Sequence, residues 1–279
     1  MYDLSRIYRP VTAQPFLNNN SYFEIQPCNE LKPYICCFWG KIKEEQRINL
    51  TTPKKILVIP DTCMDIIFNI DEENETFNAT FVGINDNTFF DNSSHEAPHI
   101  TIFAVRFYSW AVPLFSNEFM KFSLNSFSEV ESYFYGFKKH FENINTATFS
   151  LTERILITEQ YLLSKINLDR QNYNILNSLY KILQSKGNTN ISELSGYTNV
   201  SQRQLERLFR DYIGVSPKKL SSLIRYQYLW QDILFDKNYN IQDCVSKYGY
   251  TDQSHLLNDF KKYHSLSPID AKMLAYKTK

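Results

Sequence analysis

Hydrophobic and polar positions change their rhythm along the 279-residue chain. Aromatic and branched residues first come in short runs: Tyr22 to Gln26, Tyr34 to Trp39, Ile56 to Ile59, Met64 to Ile70, Thr80 to Ile84 and Ile100 to Phe107. Polar stretches such as residues 71–75 and 91–94 separate them, a pattern that predicts an antiparallel β sandwich or barrel. From about Pro113 the spacing becomes helical. Val130, Phe134, Phe137 and Phe141 form one stripe over 126–143, and Leu151, Ile155, Leu162, Leu163 and Ile166 another over 151–167. Residues 1–20, ending in Asn18-Asn19-Asn20, read as a mobile arm, and the polar stretch 167–172 reads as a linker. A helix with Ile175, Leu176, Leu179, Ile182 and Leu183 on one face follows, stopping at Gly187.

Beyond it lies a repeat. The stretches from Thr189 to Pro217 and from Tyr239 to Pro268 share, about fifty positions apart, an isoleucine (Ile191, Ile241) and an acid two residues on (Glu193, Asp243). They also share a leucine (Leu205, Leu256), a phenylalanine four further (Phe209, Phe260) and a closing Ser-Pro. Each copy must solve the same packing problem, and a helix-turn-helix is the unit that fits.

The repeat resembles the paired helix-turn-helix domain of AraC/XylS-type transcription regulators. The matching residues are Leu205, Arg207 and Phe209, the Gly214-Val215-Ser216-Pro217 run, Arg225, the run from Gly249 to Leu256, and Ser267-Pro268. PYICCFW, IPDTCMDIIFNI and FVGIND in the front half are similar to a subgroup of sensor domains in that family. The fold the resemblance implies is thus multidomain: a mainly antiparallel β sensing domain (cupin-like barrel or sandwich) with trailing helices over 1–168, then an all-α DNA-binding domain with a double helix-turn-helix over 169–279. Within the latter, the first helix-turn-helix is expected at about 190–211, a connecting helix at about 217–235 and the second motif at about 240–263. The resemblance implies double-stranded DNA as partner, a homodimer, contact with RNA polymerase, a small-molecule effector of unknown identity, and a cytoplasmic protein that is not an enzyme. The helices over 126–167 would make the dimer contact in that family; on sequence alone they could equally cover the sheet.

The chemistry of the repeat supports DNA reading. Ser201 caps the first recognition helix and leaves Gln202, Arg203, Glu206 and Arg207 on or near its outward face, with Leu205, Leu208 and Phe209 toward the core. Arginine can donate twice to guanine and glutamate can accept from cytosine. Arg207 could instead meet phosphate or brace the helix. Asn199 stands where the family has a turn glycine, and asparagine tolerates the left-handed turn best among the other residues. In the second motif Gln253, Ser254, His255 and Asn258 face outward; Asn258 stands where arginine is common and Ser265 where glycine is. Ser201, Lys218, Lys219, Lys261 and Lys262 are the phosphate candidates, although such lysines can also be merely solvated. Ser216-Pro217 starts a helix of some 19 residues, about 28 Å long, close to the ~34 Å between successive major grooves.

Charge fits this division. The whole chain is neutral, but residues 1–170 carry 15 Lys and Arg against 21 Asp and Glu, a balance of −6, and residues 171–279 carry 15 against 9, a balance of +6. No apolar run suggests a signal peptide or a membrane span. Phe38, Trp39, Phe68 and Phe107 could line an effector pocket, but sheet-core packing is the commoner fate of such residues.

Two enzymatic readings need weighing. His95-Glu96-Ala97-Pro98-His99 fits the zinc-peptidase pattern, but that chemistry needs a continuous helix, which Pro98 breaks. The segment reads as a loop between strands, and a cupin-like metal site on His95 and His99 lacks a third ligand. The alternative function is a DNA-alkylation repair enzyme with an AraC-like domain and a zinc-bound thiolate. Cys28, Cys36, Cys37, Cys63 and Cys244 form no C-x-x-C pair, so reduced, packed thiols are expected, with no metal and no cofactor.

Overall fold

The computed structural model describes residues 3–16, 22–41, 56–71, 73–74, 76–91, 100–142 and 149–277. Alternating apolar positions build an antiparallel sheet in the front half. Its strands are β1 (Tyr22–Ile25), β2 (Ile35–Lys41), β4 (Cys63–Asp71), β5 (Thr76–Val82), β7 (Ile100–Tyr108) and β8 (Phe127–Glu129), in the order β1-β2-β7-β4-β5-β8. A two-stranded sheet pairs β3 (Ile56–Val58) with β6 (Phe89–Asp91). Strands β4 and β7 are the centre, in register from Cys63 opposite Tyr108 to Asp71 opposite Ile100.

Phe38, Phe68 and Phe107 are buried in this sheet, and Trp39 is half-buried with its indole N–H donating to Asp65 (2.6 Å). They fill the core. The space beside Phe68 and Phe103 is only about 10 Å³, too little for an effector. Helices α1 (Phe137–Glu142) and α2 (Leu151–Lys165) close the sheet, Phe141 packing on Phe68 (5.1 Å between rings) and Tyr161 on Phe137 (5.3 Å). Ser150 and Glu153 form a reciprocal capping box that starts α2.

Two expectations are corrected. The helix expected over 126–143 is a helix only at Phe137–Glu142; before it, Phe127–Glu129 pairs with β5, and Gly136 takes a positive φ of 75° that interrupts the helical path. The arm, where described, is docked rather than loose. Leu4, Tyr8 and Ala13 are buried, and the arm's main chain is held by side chains from more than 200 residues away. The His95–His99 segment and Asn18–Asn20 lie outside the described residues.

The back half is helical throughout: α3 (Tyr173–Gln184), α4 (Ile191–Thr198), α5 (Gln202–Ile213), α6 (Pro217–Phe235), α7 (Ile241–Lys247), α8 (Gln253–His264) and α9 (Pro268–Tyr276). Among the described residues no helix is long and apolar enough to cross a membrane. Cys36, Cys37, Cys63 and Cys244 are buried free thiols and Cys28 is half-buried. Among the described residues no group of three or more His, Cys, Asp or Glu is arranged to hold a metal ion.

Candidate nucleic-acid interface

Each helix expected to read bases is set by a local turn. Helix α4 ends at Asn199, in the left-handed region (φ 54°, ψ 32°), and Ser201 Oγ then accepts from the Gln204 N–H (3.3 Å) to start α5. Leu205, Phe209 and Ile213 are buried beneath α5, whereas Leu208 is only half-buried, at the margin of the core expected for it. Gln202, Arg203 and Arg207 are exposed and Glu206 is half-buried. In the second motif Asp252 Oδ1 accepts from the His255 N–H (2.8 Å) and caps α8. Leu256, Phe260 and Tyr263 are buried, leaving Gln253, Ser254, His255 and Asn258 exposed. The His255 ring leans edge-on against Tyr250 (5.2 Å), with Nδ1 3.3 Å from Thr251 Oγ1. Helix α8 ends at Ser265 with φ 61°, so serine bears the left-handed strain that glycine would avoid.

Helix α6 joins the motifs and is buried along much of its 19 residues, about 28 Å. Ser216 caps it, accepting from the Lys219 N–H (3.2 Å), with Pro217 in the first turn. Arg225 reaches α8, pairing with Asp259 (3.0 Å) while its guanidinium lies 4.3 Å over the Tyr250 ring; the Tyr250 hydroxyl donates to the same carboxylate (3.0 Å). This half-buried bridge ties α8 to the rod. Tyr226 OH meets His264 Nδ1 (2.8 Å), and burial pushes the His264 imidazole down to about 3, so it is neutral at physiological pH.

Among the phosphate candidates, Ser201, Lys218, Lys261 and Lys262 are exposed. Lys219 is not free. Its ammonium pairs with Asp86 of the front domain at 2.6 Å. Burial pushes the Asp86 carboxyl up, but hydrogen bonds from Lys219 and Asn125 and the charges of Lys219 and Lys262 outweigh it and leave it below the usual range. Thr88 Oγ1 donates to the Tyr263 carbonyl (2.6 Å), so this loop also rests on the end of α8.

A second front-domain segment, 117–126, docks on the end of α5. The Met120 N–H donates to the Asp211 carbonyl (2.7 Å) and Phe119 packs on Tyr212 (5.7 Å). Gly214 closes α5 with φ 83°, and a Cβ there would sit 2.6 Å from Ser123 Oγ and 2.8 Å from the Met120 carbonyl. Glycine is required for both reasons.

The arm completes the contacts with α6. Gln227, fully buried, accepts from the Val11 N–H (2.8 Å) and donates to the Val11 and Pro60 carbonyls (3.2 and 2.6 Å). Trp230 Nε1 donates to the Thr12 carbonyl (3.0 Å) and Gln231 Nε2 to that of Arg9 (2.8 Å). Asp86, Gln227 and Asp211 carry no sequence signal for these roles, because their partners are distant in the chain.

A family model described as "Helix-turn-helix domain" matches residues 194–272, and one described as "Domain of unknown function (DUF6597)" matches residues 23–129. The HTH-type transcriptional regulator GbdR of Pseudomonas aeruginosa is 32% identical over 80 residues, which are 29% of this chain and 22% of that protein. The transcriptional regulatory protein HptR of Staphylococcus aureus is 30% identical over 80 residues, 29% of this chain and 31% of its own. The chain therefore spans under a third of the length of these curated relatives. Among solved structures, ToxT from Vibrio cholerae aligns with a TM-score of 0.40 at 13% identity, over 80% of this chain and 96% of its own. A transcriptional regulator from Chromobacterium violaceum with an AraC-type DNA-binding domain aligns at 0.32 and 21% identity, over 37% and 96%. With the duplicated motif, its caps and its connecting helix all in place, residues 194–272 of this chain are a helix-turn-helix domain.

Proposed function

We propose that the chain is a sequence-specific DNA-binding transcription regulator that acts without catalysis. Helices α5 and α8 enter successive major grooves of one duplex, held at that spacing by α6. Arg203, Glu206 and Arg207, with Gln202, read bases in the first groove; Gln253, Ser254, His255 and Asn258 read the second, with weaker discrimination because Asn258 offers no guanidinium. Ser201, Lys218, Lys261 and Lys262 meet phosphates, and Lys219 joins them when it leaves Asp86. The domain boundary falls in the 167–172 linker. The front domain senses a signal and passes it to α6 through the docked arm and to α5 through segment 117–126, in a protein that works as a homodimer in the cytoplasm and contacts RNA polymerase.

The observation that carries this reading is the pair of exposed rows of hydrogen-bonding side chains, each on a capped helix and each packed against one 19-residue rod. Binding of the full chain to a pool of random duplexes, at two salt concentrations, tests it. The expected result is enrichment of a defined sequence that persists at the higher salt. Binding that follows salt alone, with no sequence enriched, would sink the reading.

A further inference from the structure

Two stretches of the front domain reach α5 and α8, and they are joined to each other. Segment 117–126 meets the end of α5 through the Met120 N–H, which donates to the Asp211 carbonyl (2.7 Å), and through Phe119 on Tyr212 (5.7 Å between rings). Loop 83–88 meets the start of α6 through the Asp86–Lys219 pair, and the last turn of α8 through Thr88, whose hydroxyl donates to the Tyr263 carbonyl (2.6 Å).

The join between the two stretches is closely built. The Gly83 N–H donates to the Ser126 carbonyl (3.1 Å) and the Asn125 N–H to that of Ile84 (2.8 Å). The Asn125 side chain then accepts from the Asp86 N–H (2.9 Å) and donates to Asp86 Oδ1 (2.8 Å). Asparagine suits this place because its backbone is left-handed, with φ 53°. Ser123 is fully buried between two glycines. A Cβ on Gly83 would collide with the Ser123 carbonyl, and one on Gly214, at the end of α5, would sit 2.6 Å from the Ser123 hydroxyl oxygen. The main chains of the loop, the segment and the α5 end therefore pack without slack, and so dense a contact transmits displacement rather than absorbing it.

Helix α6 ties α5 to α8 within the helical domain. The front domain supplies a second path, from Asp211 through Ser123 and Asn125 to Thr88 and Tyr263. It crosses Asp86 through the bonds to Asn125 and does not need the pair with Lys219. Two helices joined by one rod can still tilt about it, and a separate tie between their far ends removes that freedom. We infer that the front domain braces α5 and α8, so that the half-site spacing the chain accepts is set by this second path as well as by α6. Thr88 and Asn125 are its positioning residues, and neither belongs to the rows proposed to meet DNA. The inference rests on the paired reading proposed above and gives the front domain a part in it that needs no effector.

The full chain and its Thr88→Val/Asn125→Gly variant test the brace. Valine keeps the shape of threonine without the donor, and glycine keeps the left-handed turn without the side-chain bonds. Spin labels at Gln204→Cys on α5 and Gln253→Cys on α8, with Cys28→Ser, read the distance between the helices in the absence of DNA. A narrow distribution is expected with Thr88 and Asn125 in place and a broader one in their absence; equal widths would overturn the brace. Binding of the unlabelled proteins to the selected duplex reads its consequence. Moving the half-sites apart by one base pair, about 3.4 Å, should cost the wild type about tenfold or more in affinity and the double variant about threefold or less, with Thr88→Val between them. The same penalty in all three proteins would overturn the claim that the brace sets spacing. A distance distribution that broadens as expected, in a wild-type chain that selects no DNA sequence, would support the brace and count against the paired reading instead.

Discussion

Gln227 is the most informative single side chain for the docking of the arm. Replacing it with leucine keeps the volume and removes three hydrogen bonds at a fully buried position. The Val11 N–H, the Val11 carbonyl and the Pro60 carbonyl lose their partner together. A buried polar group left unpaired costs about 1–3 kcal/mol, so the docked arrangement should lose about 3 kcal/mol or more. The arm has an escape that the Pro60 loop lacks: it can lift away and hydrate its main chain, so much of the penalty should appear as local release. Hydrogen exchange of peptides covering residues 3–16 reads this directly. A loss of about 3 kcal/mol corresponds to roughly a hundredfold drop in protection where docking sets the exchange, accompanied by a lower urea midpoint. Tyr228→Phe is the control, because it removes only a long bond to the Ile7 carbonyl (3.3 Å) and should change little. Unaltered protection of 3–16 in Gln227→Leu, with stability lowered by less than about 0.5 kcal/mol, would refute the claim that these bonds hold the arm.

Three further outcomes are expected. Ser265→Gly removes a side chain from a left-handed position and should stabilise the chain by about 1 kcal/mol in urea unfolding; a loss of stability would show that the serine is not strained. Asp86→Asn releases Lys219 from its ion pair, so DNA affinity should rise at low salt and the slope of log K against log salt should steepen by about 0.9, one added phosphate contact; an unchanged slope would place Lys219 away from the backbone. His264 is held near 3 by burial, against about 6.5 unfolded, so the folded state binds fewer protons below pH 6.5. Its contribution is therefore complete above about 6.5 and is lost progressively as pH falls toward 3, amounting to about 2 kcal/mol by pH 5. Unfolding of wild type and His264→Gln across pH 8 to 5 checks this: the variant should show the shallower dependence, and parallel curves would contradict it.

Local signals carried most of what was legible in the sequence. The caps at Ser201 and Ser216 act within three residues of themselves, and the left-handed turn at Asn199 follows from one side chain's tolerance. Central strands such as β4 and β7 announce themselves by apolar runs because both faces are largely buried. What could not be read was settled by partners far along the chain. Residues 127–129 share the helical spacing of their neighbours, yet pairing with Thr80–Val82 makes them a strand. The arm's polar ending suggested freedom, whereas its docking depends on Gln227, Trp230 and Gln231. At the interface the outward rows were legible because helical spacing separates them from Leu205, Phe209, Leu256 and Phe260. The pairing of Lys219 with Asp86, 133 positions away, was not.

The central claim is that α5 and α8 engage one duplex together, spaced by α6. The direct measurement is the affinity of the full chain for its selected sequence before and after five base pairs are inserted between the two halves of the footprint. Half a turn of DNA carries the second groove to the far side of the duplex, so affinity should fall to that of a single half-site. Unchanged affinity across the insertion would contradict paired reading.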